Sequence, residues 1–360
     1  MKLENARILM LEKSMNLGGS SQIVIQMCEV LKKCVDKIVV CSLGGVNISQ
    51  IEKIGIEHYT IKDISSIKYF VSNCRIISEI IKKEKITVVH THHRMAALYA
   101  QLFRSFCGVE VICSVHGEFY DKKVLTKIAY HGSKLIACGK AVRNNLISQY
   151  NIDRNDIFVL QNTVKKKDDY HELNEISKLC SKESFLIGYF GRLSKEKGVD
   201  VFIKSLKEIQ KEEANIYYIV VGDGYQKEEL INLASDLGIK DNIKFLGYRD
   251  DPQNIIQQID VVVLSSYTEG FPLTPIEAFA HGKPVVATAV GGTVDIIKDG
   301  YNGILVKPGD SVAIGKAIVA LAKDRKYYRR LSEGAIKSYS VNFSYSSFEN
   351  KLLEIYKEII

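Results

Sequence analysis

The sequence predicts an α/β protein built from two doubly wound parallel sheets, and three observations lead to this prediction. Short apolar runs alternate with amphipathic stretches along the chain, which is the pattern of parallel βαβ units. The alternation is interrupted once, over residues 162–184, where a polar run lacks apolar periodicity. At 360 residues the chain also exceeds the size at which a single hydrophobic core keeps growing, so we expect two domains.

The first domain is expected to span residues 1–164, the linker 165–184 and the second domain 185–343. Strands are expected at residues 7–11, 37–42, 86–90, 109–114, 133–138, 157–161, 185–190, 216–221, 242–246, 260–264, 284–287 and 303–306. Helices are expected at residues 21–33, 67–84, 94–106, 197–211, 225–236, 274–281, 291–297, 310–323, 326–339 and 344–358. Two Rossmann-like domains of this kind would present their strand ends to an interdomain cleft.

Composition indicates a soluble globular protein, because 46% of the residues are hydrophobic and 25% are charged. No run approaches the roughly 18 apolar residues of a membrane helix, and the chain enters its first strand without a secretory segment. The eight cysteines, at 28, 34, 41, 74, 107, 113, 138 and 180, include no C-x-x-C pair. We therefore expect buried free thiols in a reduced, cytoplasmic protein.

Charge is distributed unevenly along the chain. Residues 1–170 hold 25 Lys and Arg against 16 Asp and Glu, a net charge of +9, whereas the remainder has a net charge of −2. The asymmetry suggests that the first half meets an anionic partner, with a lysine-rich solvated surface as the alternative, and the absence of a basic-aromatic motif argues against nucleic acid. The stretch 118–130 alternates lysines with apolar residues, so an anionic membrane surface on the inner face of the cell is one interpretation. An ordinary solvated helix is the other.

Two glutamates follow the most apolar strand of the second half. Residues 261–264 are Val-Val-Val-Leu, Glu269 comes five positions later, and Glu277 lies eight positions beyond it in a predicted helix. Because ligands of open α/β sheets bind at the carboxyl ends of the strands, both carboxylates are expected to face one crevice. Taken alone, they suggest an acid/base pair.

Glycine turns and cations occur at the ends of other strands. Gly18 and Gly19 open the first helix, where backbone N–H groups can approach a phosphate, although a tight turn is an alternative explanation. Arg192 and Lys197 follow a strand and a glycine, so they are candidates to stabilise a diphosphate rather than to form a solvated loop. Gly222 ends another strand, and Tyr248 follows the next, where its ring can hold a base.

Histidines mark the edge of the first sheet. His116 ends a strand and precedes a glycine, which suits an imidazole that orients a hydroxyl or stabilises charge. His90, His92 and His93 end the preceding strand. No H-E-x-x-H or carboxylate spacing accompanies them, so a metal site is not expected.

Taken in their order along the chain, these motifs resemble those of the retaining glycosyltransferases of family 4. The resemblance covers roughly residues 7–340 and is most specific at Glu269-x7-Glu277 and the following 282–288 segment. It implies the GT-B fold, with the final helix, residues 344–360, returning to the first domain. It also implies a nucleotide-diphosphate sugar donor, most simply a UDP-sugar, and a glycan or lipid-linked acceptor in bacterial surface polysaccharide assembly.

The resemblance implies a role for each candidate residue. Arg192 and Lys197 would bind the donor phosphates and the leaving nucleoside diphosphate, Glu277 the ribose and Glu269 the donor sugar. His116 would lie near the anomeric carbon. The donor-binding set would be completed by Gly18, Gly19, Gly222, Tyr248, Gly270, Phe271, Leu273 and Thr274.

No cofactor or metal is expected, because Asp250-Asp251 lacks D-x-D spacing and the two cations can take the place of a metal ion. The acceptor hydroxyl would attack on the face that the diphosphate leaves, which retains configuration. Two other functions remain open: a GT-B nucleotide-sugar epimerase, and a nucleotide-sugar-binding regulator without turnover. A Rossmann dehydrogenase is disfavoured because the full G-x-G-x-x-G fingerprint is missing.

Overall fold

The computed structural model describes residues 1–16, 18–179, 181, 183–210 and 215–360. Within this part of the chain, two compact units are present. Unit 1 comprises residues 1–162 and 346–360, and unit 2 comprises residues 163–345. Cys180 and residue 211, the expected end of one helix, lie outside the described residues.

Each unit is organised around one parallel sheet. The strands of unit 1 are β1 (Arg7–Leu11), β2 (Lys37–Ser42), β3 (Glu57–Thr60), β4 (Val88–Thr91), β5 (Glu110–Val115), β6 (Lys134–Ala137) and β7 (Ile157–Val159). Those of unit 2 are β8 (Phe185–Phe190), β9 (Ile216–Val221), β10 (Ile243–Gly247), β11 (Val261–Leu264), β12 (Val285–Thr288) and β13 (Gly303–Val306). The sheet orders are β3-β2-β1-β4-β5-β6-β7 and β10-β9-β8-β11-β12-β13. The order therefore reverses at β1/β4 and at β8/β11, the positions where open α/β sheets bind ligands.

Helices connect the strands. They are α1 (Gly19–Leu31), α2 (Ile48–Lys53), α3 (Phe70–Lys83), α4 (Arg94–Cys107), α5 (Lys123–Tyr130), α6 (Lys140–Tyr150), α7 (Asn174–Ser177), α8 (Val199–Gln210), α9 (Lys227–Asp236), α10 (Pro252–Gln257), α11 (Thr274–Ala280), α12 (Thr293–Ile296), α13 (Ser311–Lys323), α14 (Arg325–Ser338) and α15 (Tyr345–Ile359). The fold is the predicted α/β class with two doubly wound parallel sheets. None of the helices in the described residues combines the length and hydropathy needed to cross a bilayer.

The central strands are continuous apolar runs because both of their faces are buried. Residues 8–11 of β1 and 261–263 of β11 have no exposed surface. β3 escaped prediction because it is a partly exposed edge strand that pairs only with β2 and contains polar residues. The short helices α2, α7 and α10, together with α6, also went unpredicted.

Residues 165–173, part of the segment 165–184 that was expected to be a linker, are bound to unit 2 through side chains of α10 and of Gln258, the residue that follows it. The backbone N–H of Lys167 donates to Gln253 at 2.8 Å, and that of Leu173 donates to Gln258 at 3.0 Å. Polar side chains of a helix thus satisfy a stretch of chain without secondary structure. The lack of apolar periodicity did not mean that the segment is independent of the second sheet.

Four of the seven described cysteines, at 28, 41, 113 and 138, are buried thiols that form no disulfide with another described cysteine, as expected. Cys34 and Cys74 are partly exposed, and Cys107 is exposed at the end of α4. The expectation of burial is therefore wrong for Cys107, which lies in the last turn of an amphipathic helix rather than in a strand.

Candidate active site

The loop after β8 presents two cations at the reversal point of the second sheet. Arg192 is exposed, and its guanidinium makes no hydrogen bond or ion pair with any described residue. Lys197 ends a 3-10 turn, and Gly198 follows it with φ of +58°. A Cβ on Gly198 would lie 2.2 Å from the carbonyl oxygen of Ser265, so glycine allows this turn to pack against the end of β11.

Lys197 and Glu269 form an ion pair with Nζ and Oε1 2.8 Å apart. Ser266 donates a second hydrogen bond to the same carboxylate oxygen at 2.6 Å. The Glu269 side chain is only 8% exposed, so this pair lies in a setting where charges interact more strongly than in water. Lys197 and Glu269 are thus ion-pair partners in this structure. This pair was not expected from the sequence, because the resemblance assigned Lys197 to the donor phosphates and Glu269 to the donor sugar.

A pair of glycines after β12, Gly291 and Gly292, packs against the turn that carries Glu269. Gly291 has φ of +44°, and a Cβ there would lie 1.8 Å from the carbonyl oxygen of Glu269. A Cβ on Gly292 would lie 2.1 Å from the carbonyl oxygen of Gly270. Glycine at both positions therefore allows the backbone after β12 to pack closely against the turn that carries Glu269.

Two threonines that sequence reasoning missed hold this turn together. Thr288 donates to the carbonyl oxygen of Ser266 at 2.5 Å, and the backbone N–H of Val290 donates to the Thr293 hydroxyl at 3.0 Å. Both threonines are fully buried. The signal that could have revealed them is a hydroxyl residue on each side of a glycine pair, because Ser and Thr hydroxyls stabilise turns.

Glu277 lies in α11 as a partly buried carboxylate without a protein partner. It makes no hydrogen bond or ion pair with the described residues, and burial raises its pKa to about 7 despite the opposing charge of Lys167. A carboxylate with two free oxygens can accept from two vicinal hydroxyls. Its unused hydrogen-bonding capacity fits the predicted contact with a ribose.

We expect Glu277→Gln to stabilise unit 2 at pH 8 by at most about 3 kcal/mol, since a pKa unit corresponds to about 1.4 kcal/mol. The folded-state pKa is raised above the ordinary 4.5, so the wild type loses stability as the pH rises from 4.5 through about 7. The variant has no such loss, and the two proteins should converge near pH 4. Chemical denaturation at pH 4 and pH 8 measures this difference. An equal offset at both values would contradict the assignment.

The predicted residues around α11 differ in what their side chains do. Phe271 is 5% exposed and packs toward Phe343 with ring centroids 6.3 Å apart, so its side chain belongs to the core. Leu273 and Thr274 are partly exposed at the start of α11. Tyr248 follows β10 and is 54% exposed. Only backbone groups of Phe271 could serve a ligand, whereas the Tyr248 ring is accessible.

Gly222 and Gly224 pack the turn after β9 against the loop that carries Arg192. Gly222 has φ of +137°, and a Cβ there would lie 1.9 Å from the carbonyl oxygen of Gly191. A Cβ on Gly224 would lie 2.3 Å from the carbonyl oxygen of Leu193. The predicted donor contact of Gly222 stays a prediction, and the structure adds a positioning role for this glycine.

Gly18 and Gly19 lie at the start of α1 in unit 1. Gly18 has an extended backbone, and a Cβ added there would meet no atom within 4 Å. Packing within unit 1 therefore does not require glycine at this position, in contrast to the glycines of unit 2. A need for close backbone approach by a ligand remains the predicted reason for it.

Histidines at the ends of β4 and β5 are hydrogen-bonded to one another and to hydroxyls. His92 Nδ1 lies 3.1 Å from His116 Nε2, and His90 lies between the hydroxyls of Tyr356, at 2.6 Å, and Ser114, at 2.9 Å. Burial lowers the pKa of His116 to about 4 and that of His90 to about 3, so both rings are neutral at pH 7. In the described chain, no three His, Cys, Asp or Glu side chains are grouped as metal ligands.

The predicted residues thus fall into two groups. Arg192, Lys197, Glu269 and Glu277 lie in loops and helices that follow the adjacent strands β8 and β11 of unit 2. His116 lies at the carboxyl edge of the unit 1 sheet. Cations and a carboxylate with free oxygens at the ends of adjacent strands can hold an anionic ligand that also carries hydroxyls.

The sequence matches two protein-family descriptions. Residues 17–167 match "Glycosyltransferase Family 4", and residues 172–338 match "Glycosyl transferases group 1". The two matches follow one another along the chain and leave only short segments uncovered.

Individual proteins are similar over most of the chain. An uncharacterized glycosyltransferase of Methanocaldococcus jannaschii is 25% identical over 342 residues, covering 87% of this chain and 87% of the relative. The UDP-Gal:alpha-D-GlcNAc-diphosphoundecaprenol alpha-1,3-galactosyltransferase of Escherichia coli is 27% identical over 267 residues, covering 69% of each. The crystal structure of Anabaena Alr3699/HepE in complex with UDP has a TM-score of 0.86 at 20% identity, covering 98% of this chain and 100% of that one. This structural likeness indicates a common fold.

Proposed function

We propose a donor and an acceptor for this chain from the premise that it belongs to the group 1 glycosyltransferases and has the GT-B fold of two Rossmann-like domains. The donor is a nucleoside-diphosphate sugar, most specifically a UDP-sugar. The observation that carries this proposal is the combination in unit 2 of a guanidinium, Arg192, and a carboxylate, Glu277, neither of which has a hydrogen-bond or ion-pair partner among the described residues. The first suits a diphosphate and the second suits the ribose hydroxyls. Binding of UDP by the Anabaena protein of the same fold supports the choice of base.

The reaction we propose retains configuration and needs no metal. The acceptor oxygen forms a bond to the anomeric carbon while the bond from that carbon to the phosphate oxygen breaks. The acceptor proton passes to the leaving diphosphate, so no protein base is required. Arg192 and Lys197 stabilise the charge that develops on the diphosphate.

In this scheme Lys197 exchanges its partner. In the structure it neutralises Glu269 at 2.8 Å. A diphosphate would draw the ammonium toward itself, and Glu269 would then accept hydrogen bonds from hydroxyls of the donor sugar while Ser266 keeps its carboxylate in place. His116 is proposed to contact the sugar, which is consistent with its neutral imidazole.

A thermal-shift screen across UDP-, GDP- and ADP-sugars tests the donor. At 100 times the dissociation constant, a ligand that binds only the folded chain stabilises it by about 2.7 kcal/mol. We expect the UDP-sugars to raise the melting temperature and the others to leave it nearly unchanged. A shift with GDP- or ADP-sugars alone would overturn the choice of base. Incubation with the donor alone separates transfer from epimerisation, because an epimerase converts the sugar without an acceptor.

We propose a lipid-linked or glycan acceptor from surface polysaccharide assembly. The name of the Escherichia coli relative gives a diphosphoundecaprenol-linked acceptor for that protein. In the present chain, α5 exposes Val124 by 72% and Ile128 by 54%, four positions apart on one helical face. Lys123 and Lys127 are exposed beside them. Apolar residues flanked by lysines suit the interface of an anionic membrane, so we propose α5 as the contact with that surface.

The double variant Val124→Gln/Ile128→Gln should therefore lose membrane binding. Each of these side chains contributes about 1.5–3 kcal/mol when buried, so the bound fraction should fall at least about tenfold. Flotation with vesicles that contain anionic lipid at low salt measures binding. Val312→Gln, at a 42% exposed position on α13 of unit 2, is the matched control. Equal flotation of the wild type and the double variant, or no flotation of the wild type, would exclude α5 as the contact.

A further inference from the structure

Two neutral histidines share one hydrogen bond at the carboxyl edge of the unit 1 sheet. His92 Nδ1 and His116 Nε2 lie 3.1 Å apart, and their rings stack with centroids 5.4 Å apart. A neutral imidazole has one nitrogen that donates and one that accepts. The tautomer of His116 is therefore fixed by that of His92, and His92 is fixed by whatever meets its second nitrogen.

That second nitrogen, Nε2 of His92, is buried and has no hydrogen-bond partner among the described residues. Oε2 of Glu12 is also buried and has no hydrogen-bond partner among the described residues. The second carboxylate oxygen of Glu12, Oε1, accepts from the backbone N–H of Lys13 at 2.8 Å. Glu12 is 4% exposed and His92 is 5% exposed. A buried polar atom without a hydrogen bond loses its hydration without compensation, so both atoms are expected to have a partner.

The strand register brings these two residues side by side. β1 and β4 pair in parallel with Met10 opposite His90 and Leu11 opposite Thr91. The ladder continues for one more bond, because the N–H of His92 donates to the carbonyl oxygen of Leu11 at 3.1 Å. Glu12 and His92 are the next residues of adjacent strands, and alternation along a strand places both on the face of Met10 and His90.

We propose that Glu12, His92 and His116 form a relay across three neighbouring strand ends, closed by one buried water between Glu12 and His92. Glu12 Oε2 accepts from the water, and the water accepts from the Nε2–H of His92. His92 Nδ1 then accepts from the Nε2–H of His116. His116 is left with an unprotonated Nδ1, which accepts a hydrogen bond from a substrate hydroxyl. This last step alone rests on the proposed function.

The surroundings hold His92 in place for this role. The His90 ring stacks on it with centroids 4.5 Å apart, and His90 is itself held between Tyr356 and Ser114. Glu12 and His92 would thus be positioning residues that act through His116. The charged and titratable groups that act on the relay are Lys13, beside Glu12, and His90, beside His92.

The test is nitrogen-15 NMR of histidine-labelled wild-type protein without substrate at pH 8, where Glu12, with its pKa raised to about 7 by burial, is mostly ionised. The ring signals of His92 and His116 are assigned through bonds to their backbone resonances in the wild-type protein. We expect His116 to carry its proton on Nε2 with Nδ1 free, and His92 to carry its proton on Nε2. A proton on Nδ1 of His116 would overturn the relay, and this result does not depend on any variant folding.

Glu12→Gln supplies the second arm. An amide offers donors as well as an acceptor, so the preference of His92 is lost and His116 should show a mixture of tautomers. Glu110→Gln, at an exposed position at the start of β5, should leave both tautomers unchanged. An unchanged His116 in folded Glu12→Gln protein would contradict the role of Glu12.

Activity measurements separate this inference from the proposed function. If the chain is a transferase, Glu12→Gln should lower kcat with the KM for the donor nearly unchanged, because Glu12 itself does not touch the donor. Wild-type protein with the expected tautomers but without transferase activity would leave the relay standing and remove the proposed function. Transferase activity in wild-type protein whose His116 carries its proton on Nδ1 would exclude the relay and leave the proposed function standing.

Discussion

Arg192→Ala is expected to lower kcat by about 10²- to 10³-fold, which corresponds to about 2.7–4 kcal/mol of lost transition-state stabilisation. The guanidinium is exposed and makes no hydrogen bond or ion pair with a described residue, so its removal disturbs only its longer-range electrostatic interaction with Glu196. Its contribution should arise where charge develops on the leaving diphosphate. The KM for the donor should therefore change less than kcat does.

Acceptor-dependent release of nucleoside diphosphate measures this effect. Lys195→Ala is the matched control, because Lys195 is an exposed cation in the same loop to which no role is assigned. It should keep turnover within a few-fold of the wild type. Near-normal turnover of Arg192→Ala, or an equal loss in both variants, would exclude Arg192 as the group that stabilises the leaving phosphate.

Gly291→Ala is expected to destabilise unit 2 by more than about 2 kcal/mol and to abolish donor binding. A left-handed φ costs a residue with a Cβ about 1–2 kcal/mol. The new methyl group would also lie 1.8 Å from the carbonyl oxygen of Glu269, so the backbone on one side must move. Because that backbone carries Glu269, the ion pair with Lys197 would be displaced too.

Gly300→Ala is the control that separates the cost of the left-handed backbone conformation from the effect of the contact with Glu269. Gly300 has φ of +68°, but a Cβ there meets no atom within 4 Å. It should therefore show only the cost of the backbone conformation and keep donor affinity. Thermal melting with and without UDP-sugar compares the two variants, and we expect a drop of roughly 4–8 °C or more for Gly291→Ala. Equal behaviour of both variants would mean that the contact with Glu269 is unimportant.

The parts of the fold that follow from burial could be predicted from the sequence. β8 and β11 are apolar throughout, so their strand character is apparent without knowledge of their neighbours. β3 could not be found in this way, because its residues are partly exposed and its strand identity depends on pairing with β2. Residues 167–173 show the same limit, since their attachment to unit 2 depends on polar side chains more than 80 residues away.

For the candidate site, the sequence was a better guide to which residues belong to it than to the contacts that those residues make. Glu269 and Glu277 were recognised as a pair, yet their environments differ: Glu269 is ion-paired with Lys197, 72 residues away in sequence, whereas Glu277 makes no hydrogen bond or ion pair in the part of the chain that the structure describes. Such differences arise from tertiary packing, which residue spacing does not report. Glu12 gave no sequence signal at all, because its significance lies in the register between β1 and β4.

The contacts at Gly191, Gly222, Gly291 and Gly292 have a consequence for how this enzyme can be altered. They position the Arg192 and Glu269 loops through main-chain packing, which substitution of neighbouring side chains leaves in place. Tyr248 and Leu273 project from this framework with partly or largely exposed side chains. With the predicted donor-binding roles of Tyr248 and Leu273, recognition of the donor would be separable from the geometry of the reacting phosphate, and libraries that randomise these two positions would search for new donors in a scaffold that stays fixed.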